Sequence, residues 1–281
     1  VTDANGCQDS TSVTITEPAS SISLTFATTA VSCYGGNDGT ATANPTGGTP
    51  PYTYVWDATT GGQTDSIAVG LTAGTYGVTV YDLNDCIYEP SIIVSEPAPL
   101  AVVTSSTGVS CFGGNDGTAT VSISGGTSPY NVLWDASTGS QTDTTATNLI
   151  AGAYQANITD FNGCFVDTVV TVSQPLAALS LNTSVVNLKC FGDADGSATV
   201  TINGGTSPYT ILWDAATGSQ TDTMAIGLEA GNYGVLITDV NGCKDSVGVI
   251  LTEPQPLVAN ISGNIAVSCF GGNDGSATVS V

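Results

Sequence analysis

The chain has 281 residues, among them 24 acidic residues, two lysines, no arginine and no histidine, for a formal net charge of −22. That balance argues against nucleic acid as a partner, because phosphates need cations on the protein, and equally against docking on anionic lipid. Without histidine, neither a Ser-His-Asp nor a Cys-His pair can be built, and the carboxylates mark no unique cleft, so the chain reads as a non-enzyme with no cofactor.

A segment of nine residues, Val31-Ser32-Cys33-Tyr34-Gly35-Gly36-Asn37-Asp38-Gly39, returns three times: at Val109 to Gly117, at Leu188 to Gly196 and at Val267 to Gly275. The period of about 79 residues is the mark of a tandem array, and a unit of that size can fold around a modest core. Boundaries fall at Glu17-Pro18, Glu96-Pro97, Gln174-Pro175 and Glu253-Pro254, where proline ends a strand and stiffens a short joint. The expected organisation is a partial repeat over residues 1–18, complete repeats over 19–97, 98–175 and 176–254, and a partial repeat over 255–281. Both ends fall inside a repeat, so the chain is expected to be a window on a longer array.

In the second complete repeat, Leu100 to Cys111 reads as a first strand. Phe112 to Gly117 is a turn rich in glycine and Asn-Asp-Gly. Thr118 to Ile123 alternates small polar and apolar residues, as a half-buried strand does. Gly125 to Tyr130 turns the chain, and Asn131 to Trp134 is the next strand. Gly139 to Asn148 is a polar stretch with one or two edge strands, and Leu149 opens a strand that runs to Asp160. Asp160 to Cys164 is a hairpin turn, where Asn162-Gly163 favours the type I′ form. Phe165 to Ser173 is the last strand. No segment carries a helical apolar period.

About seven short strands separated by turns predict an all-β fold, a series of immunoglobulin-like sandwiches of about 79 residues forming an elongated rod. Trp56, Trp134 and Trp213 are the expected core centres, one per repeat. Tyr76, Tyr154 and Tyr233 follow Leu-x-Ala-Gly-x and read as corner tyrosines whose hydroxyls bond backbone a few residues upstream.

The segments Cys-Phe-Gly-Gly-Asn-Asp-Gly-Thr-Ala-Thr-Val, Gly-Gly-Thr-Ser-Pro-Tyr, Ala-Gly-x-Tyr and Thr-Asp-x-Asn-Gly-Cys together resemble the SprB repeat. That repeat occurs in very large surface adhesins of gliding Bacteroidota. The resemblance covers every complete unit and both partial ones. It implies type IX secretion, display on the cell surface, and a role in adhesion or gliding, with other copies or repeats of the filament and extracellular surfaces or polysaccharide as partners. Two departures stand out: Leu83-Asn84-Asp85-Cys86 lacks the turn glycine, and Lys189 replaces serine before Cys190.

Cysteines at 7, 33, 86, 111, 164, 190, 243 and 269 keep fixed repeat positions, and without histidine they point to disulfides in an oxidising compartment rather than to zinc. In an immunoglobulin-like order, Cys111 lies at the end of the sandwich facing the next repeat and Cys164 at the opposite end, roughly 30 Å away, whereas bonded cysteines have Cα atoms about 5.5 Å apart. This favours bonds between neighbouring repeats, Cys33–Cys164 and Cys111–Cys243. The alternatives are the pairs within a repeat (Cys33–Cys86, Cys111–Cys164, Cys190–Cys243) and adjacent pairs such as Cys86–Cys111.

Asp-Ser/Thr followed by threonine or an apolar residue recurs and is similar to the O-glycosylation acceptor of exported Bacteroidota proteins. It assigns sugar to Ser10, Ser66, Thr144, Thr168, Thr223 and Ser246. No metal site is assigned. The alternative is calcium at Asp160, Asn162, Asp239 and Asn241, whose Asp-x-Asn spacing opens calcium loops, but calcium takes six to eight oxygens and the turn itself accounts for these residues. The expected function is a structural and adhesive repeat array of a secreted surface filament. The alternatives are a glycan- or surface-binding module in each repeat, or a passive stalk presenting a tip adhesin.

Overall fold

A computed structural model describes residues 1–281. The chain divides into two compact units, one holding residues 1–104, 121–144 and 155–169, the other residues 105–120, 145–154 and 170–281. Each unit contains one whole repeat and part of the middle one.

In the first repeat the strands are β1 (Ser23–Thr29), β2 (Gly39–Thr46), β3 (Thr53–Trp56), β4 (Ile67–Leu71), β5 (Gly74–Tyr81), β6 (Ile87–Tyr88) and β7 (Ser91–Val94). One sheet runs β1-β2-β4. The other runs β3-β5, with β6 and β7 both pairing with β5, and every pairing is antiparallel. The second repeat supplies β8 (Ala101–Thr107), β9 (Gly117–Ser124), β10 (Asn131–Trp134), β11 (Thr145–Leu149), β12 (Gly152–Thr159) and β13 (Phe165–Val172). The third supplies β14 (Ser180–Val186), β15 (Gly196–Asn203), β16 (Tyr209–Trp213), β17 (Met224–Leu228), β18 (Gly231–Asp239) and β19 (Lys244–Leu251). A closing hairpin pairs β20 (Asn260–Ile265) with β21 (Ser276–Ser280). The orders β8-β9-β11 with β10-β12-β13, and β14-β15-β17 with β16-β18-β19, repeat the first arrangement. Strands one, two and four opposite strands three, five and six is the sheet division of an immunoglobulin-like sandwich.

Alternation builds the core. In β15, Gly196, Ala198 and Val200 face inward, and the intervening Ser197 and Thr199 are half-buried on the other face. The innermost cross-strand pair is alanine against alanine, Ala41 with Ala68, Ala119 with Ala146 and Ala198 with Ala225, every one fully buried. In the first and third repeats these small residues share a core cluster with the indole of Trp56 or Trp213, so two short side chains on one sheet leave volume for a large one on the other. The indole nitrogens of Trp56, Trp134 and Trp213 donate to the carbonyls of Asp65, Asp143 and Asp222, each at 2.9 Å, so burial leaves no unpaired donor. The hydroxyls of Tyr76, Tyr154 and Tyr233 donate to carbonyls four residues upstream, on Thr72, Ile150 and Glu229.

One alternative is settled and one expectation is revised. Of the one or two edge strands expected in the polar stretch after the tryptophan, each repeat forms one, preceded by a 3-10 turn, so the second and third repeats have six strands. Gln63 and Gln220 explain how the stretch dispenses with a further strand. The Gln63 amide donates to the carbonyls of Thr60 and Val69 and accepts from the Val69 N–H, and Gln220 does the same with Thr217 and Ile226. A side chain thus satisfies backbone groups that a neighbouring strand would otherwise pair. The turn before the last strand is also not type I′. Gly163 alone has positive φ, at 87°, and Asp160 stabilises a wider loop by accepting from the N–H groups of Asn162 and Cys164.

Gly117 opens β9 for want of space rather than of backbone freedom, since a Cβ there would lie 2.5 Å from Val172 and 2.9 Å from the Leu149 carbonyl. Trp213→Ala is expected to destabilise the chain by about 3–5 kcal/mol and Tyr233→Phe by about 1 kcal/mol, read as a lowered urea midpoint in denaturation curves.

Candidate functional site

The recurring polar side chains converge on the joints between repeats. Three elements build each joint: a knob turn that carries the first cysteine, a loop in the next repeat that carries the second, and the carboxylates that hold each rigid.

The knob is the Ser-Cys-aromatic-Gly turn. Asp38 Oδ1 accepts from the Ser32 N–H at 2.9 Å, and Asp116 does the same for Ser110. Gly36 closes the turn by donating to the Cys33 carbonyl. The residue before the boundary proline ties the turn to the end of its own repeat: Glu96 accepts from Gly35 at 2.6 Å, Gln174 from Gly113 at 3.0 Å and Glu253 from Gly192 at 2.7 Å. The serine hydrogen bonds hold the carboxyls of Asp38, Asp116 and Asp274 below the ordinary carboxylate range.

The receiving loop is organised by a buried aspartate. Asp160 is 5% exposed; its Oδ1 accepts from the N–H groups of Asn162 and Cys164, and its Oδ2 from that of Thr127, at 2.8–2.9 Å. Asp239 does the same with Asn241, Cys243 and Thr206, and Asp82 with Asn84, Cys86 and Thr49. The Thr49 amide, first among these donors, holds the Asp82 carboxyl below its ordinary range. The four residues with the calcium-like spacing are thereby engaged in the loop itself: the aspartates accept backbone amides, and the asparagines donate across the joint.

Within the first unit, Asn162 Nδ2 donates to the Ser32 carbonyl at 2.9 Å, and Cys33 and Cys164 are disulfide-bonded with Cα atoms 5.7 Å apart. Within the second, Asn241 Nδ2 donates to the Ser110 carbonyl at 3.1 Å, and Cys111 is bonded to Cys243 with the same Cα separation. The structure does not bring together Cys33 with Cys86, Cys111 with Cys164 or Cys190 with Cys243. Cys7, Cys86, Cys190 and Cys269 are free and exposed. On the chain-entropy account, closing a loop of this length withdraws about 5 kcal/mol of unfolded-state freedom, although the two loops overlap and their effects do not add.

Of the acceptor residues assigned for sugar, Ser10, Thr144, Thr223 and Ser246 are exposed and Ser66 and Thr168 are half-buried. Sequence reasoning took Asn-Asp-Gly and Asp-x-Asn for turn chemistry and missed their shared role at the joint. The signal was there: one aspartate, in the knob, stands six residues after the residue it holds, and another, in the receiving loop, stands two before the asparagine that crosses over.

This architecture defines a tandem-repeat protein of immunoglobulin-like sandwiches covalently tied to their neighbours. The SprB repeat family model matches three times across the chain, at residues 25–61, 103–139 and 182–218. Together with the disulfides, the repeats place it among extracellular repeat proteins of the adhesion type. A search of curated protein sequences found no match. Among solved structures, the chain is similar to Sidekick-1 immunoglobulin domains 1-5, at 11% identity and TM-score 0.38, covering 85% of this chain and 60% of that one. It is also similar to Drosophila OTK extracellular domains 3-5 (14% identity, TM-score 0.30, 78% and 92% covered). A third similarity is to surface layer protein SbsC domains 4-9 (16%, 0.25, 88% and 50%). The fold assignment rests on the strand orders above. No helix is long and apolar enough to cross a membrane.

Acid unfolding follows from the depressed carboxyls. Asp82, Asp38 and Asp116 have folded pKa values below their unfolded ones, so the stability they contribute is present at neutral pH and is lost as pH falls through the folded values, below about pH 4. Asp82→Asn is expected to lower the melting temperature at pH 7 and to flatten its decline between pH 5 and 2 relative to the parent chain.

Proposed function

We propose that the chain is a tension-bearing segment of a secreted surface filament or adhesin, serving gliding or attachment to extracellular surfaces, with no catalytic role. The observation that carries this reading is the overlap of the two disulfides. Cys33 to Cys164 and Cys111 to Cys243 are bonded across sequence separations of 131 and 132 residues, and the second bond begins inside the loop closed by the first. A pull along the chain therefore passes from one repeat to the next through covalent bonds. The SprB repeat supports the setting, since it resembles the units of large adhesins. Adhesion through the loops of each repeat is the second reading, but the aromatics most able to stack on sugar, the three tryptophans, are buried.

Single-molecule pulling tests the proposal. With both bonds intact, the shortest path from Cys33 to Cys243 runs back through only about 50 residues, between Cys111 and Cys164, instead of about 210. Reduction is therefore expected to release on the order of 500 Å of additional length at ~3.5 Å per residue. Equal extensions in the oxidised and reduced chain would defeat it.

The Asp-Ser/Thr acceptors belong to the same proposal as sites of sugar on the exported filament. Peptides that span these acceptors, taken from the native cell envelope, are expected to exceed their polypeptide mass by whole glycan units. Loss of those units from the Thr144→Ala and Thr223→Ala variants would locate them.

A further inference from the structure

The side chain that crosses each joint is also asparagine in its most reactive setting. Asn162 precedes Gly163, and Asn241 precedes Gly242. Glycine has no Cβ to shield its backbone nitrogen, so in an Asn-Gly pair that nitrogen can attack the asparagine's own side-chain carbonyl carbon. A Cβ placed on Gly163 or Gly242 would meet nothing within 4 Å, and both asparagines are exposed. Neither burial nor crowding therefore keeps water and base away. What restrains the reaction is hydrogen bonding, and every group the reaction needs is held. The nucleophile is engaged first: the Gly163 N–H donates to the Asp160 carbonyl at 3.1 Å, and that of Gly242 to the Asp239 carbonyl at 3.0 Å. The amide under attack is pinned from two sides. Asn162 Nδ2 donates to the Ser32 carbonyl at 2.9 Å and to the Thr127 hydroxyl at 3.1 Å. Asn241 Nδ2 donates to the Ser110 carbonyl at 3.1 Å and to the Thr206 hydroxyl at 3.2 Å. The carboxylates of Asp160 and Asp239 accept from the N–H groups of Asn162 and Asn241, and so lie beside the nitrogens that must become anionic and disfavour that charge.

All but one of these restraints belong to the receiving loop and its own repeat. The exception is the bond to the knob carbonyl of Ser32 or Ser110, which lies in the neighbouring repeat and lasts only while the joint is closed. A third pair, Asn203-Gly204, supplies the contrast. There Gly204 is packed so closely that a Cβ would lie 2.0 Å from the Ala178 carbonyl oxygen, and its own carbonyl accepts from the Tyr209 hydroxyl at 2.7 Å. These contacts lie within the third repeat and do not change when a joint opens.

We propose that Asn162 and Asn241 are modification sites gated by the joint: they keep their amides while the disulfide holds the joint closed, and they deamidate once it is reduced and the joint opens. The Gly163 nitrogen gives its proton to hydroxide and attacks Asn162 Cγ. A nitrogen–carbon bond forms, the bond from Cγ to Nδ2 breaks, and ammonia leaves from a cyclic succinimide. Water then opens the ring at either carbonyl. Water is consumed, ammonia is released and nothing is oxidised or reduced. Opening at one carbonyl gives aspartate, which sets an acceptor against the Ser32 carbonyl where a donor stood. Opening at the other gives isoaspartate, whose main chain runs through the former side-chain carbon and so lengthens the loop before Cys164. Neither product lets the joint close again in its original form, so the modification is a lasting record that the joint has opened. The chemistry stands apart from the tension-bearing reading; under that reading it marks the joints at which a filament has yielded.

The test incubates the full chain in mildly alkaline buffer, either oxidised or kept reduced with a phosphine, and follows the peptides around Asn162, Asn241 and Asn203 by mass spectrometry. Loss of the crossing hydrogen bond is expected to speed conversion at Asn162 and Asn241 about fivefold or more on reduction, with isoaspartate among the products, while Asn203 keeps its rate. Cys33→Ser combined with Cys164→Ser, studied without reductant, frees the first joint alone. It should accelerate Asn162 and leave Asn241 at the parent rate, with the Cys111–Cys243 bond intact as the mark of a retained fold. Equal rates at Asn162 in the oxidised and reduced chains would overturn the proposal. So would an acceleration shared by Asn203, which would signal general loosening, or one that reaches Asn241 in the doubly substituted chain.

Discussion

One buried carboxylate in each repeat is the constraint on which the joints depend. Asp82, Asp160 and Asp239 sit at 4–5% exposure in a chain that holds only two lysines and no arginine, so no counter-ion neutralises them. A charge withdrawn from water must be compensated where it lies, and here three backbone amides compensate each one. Those amides come from both sides of the loop, so satisfying the charge closes the loop in one conformation. The cysteine and the asparagine that cross the joint are thereby aimed before any neighbour arrives.

The knob on the other side follows the same logic with exposed groups. A carboxylate six residues on fixes the residue before the cysteine, and a Glu or Gln some 60 residues on fixes the glycine after the aromatic. That second contact couples the end of a repeat to its own knob, so the boundary proline is stiff partly because the residue before it is already engaged. Rigid halves make a disulfide cheap to close, since little freedom is left to lose when the sulfurs meet.

Much of this was legible in the sequence and some was not. Strand alternation, the central tryptophans and the corner tyrosines are periodic signals, because each residue faces the core for a reason that repeats along the strand. The side chains that replace backbone pairing carry no such signal. Gln63 and Gln220 take the place of a second edge strand, yet nothing in the local pattern of Thr, Gly and Asp distinguishes a polar side chain that pairs with backbone from one that faces water. Asn162-Gly163 misled for a related reason: the dipeptide favours a tight turn by itself, but Asp160 offers the loop two further acceptor bonds and wins. The acidic residues at the joint were visible as motifs, though their partners lie as far as 61 residues away in sequence, and single-chain spacing does not announce a contact at that range.

Electrostatics explains why a covalent joint suits this chain. At a net charge of −22, neighbouring repeats repel, and physiological salt screens that repulsion only beyond about 8 Å, a distance the joint lies within. Against the repulsion, each joint sets a few polar contacts, of which the asparagine-to-carbonyl bond is the best formed. A hydrogen bond of that kind contributes about 1 kcal/mol, which is too little to hold two acidic surfaces together against thermal opening. The disulfide removes the problem by making separation require bond cleavage. Hydrogen bonds then need only orient the halves, and the surface is free to remain acidic, which favours solubility and discourages adventitious association along a long array.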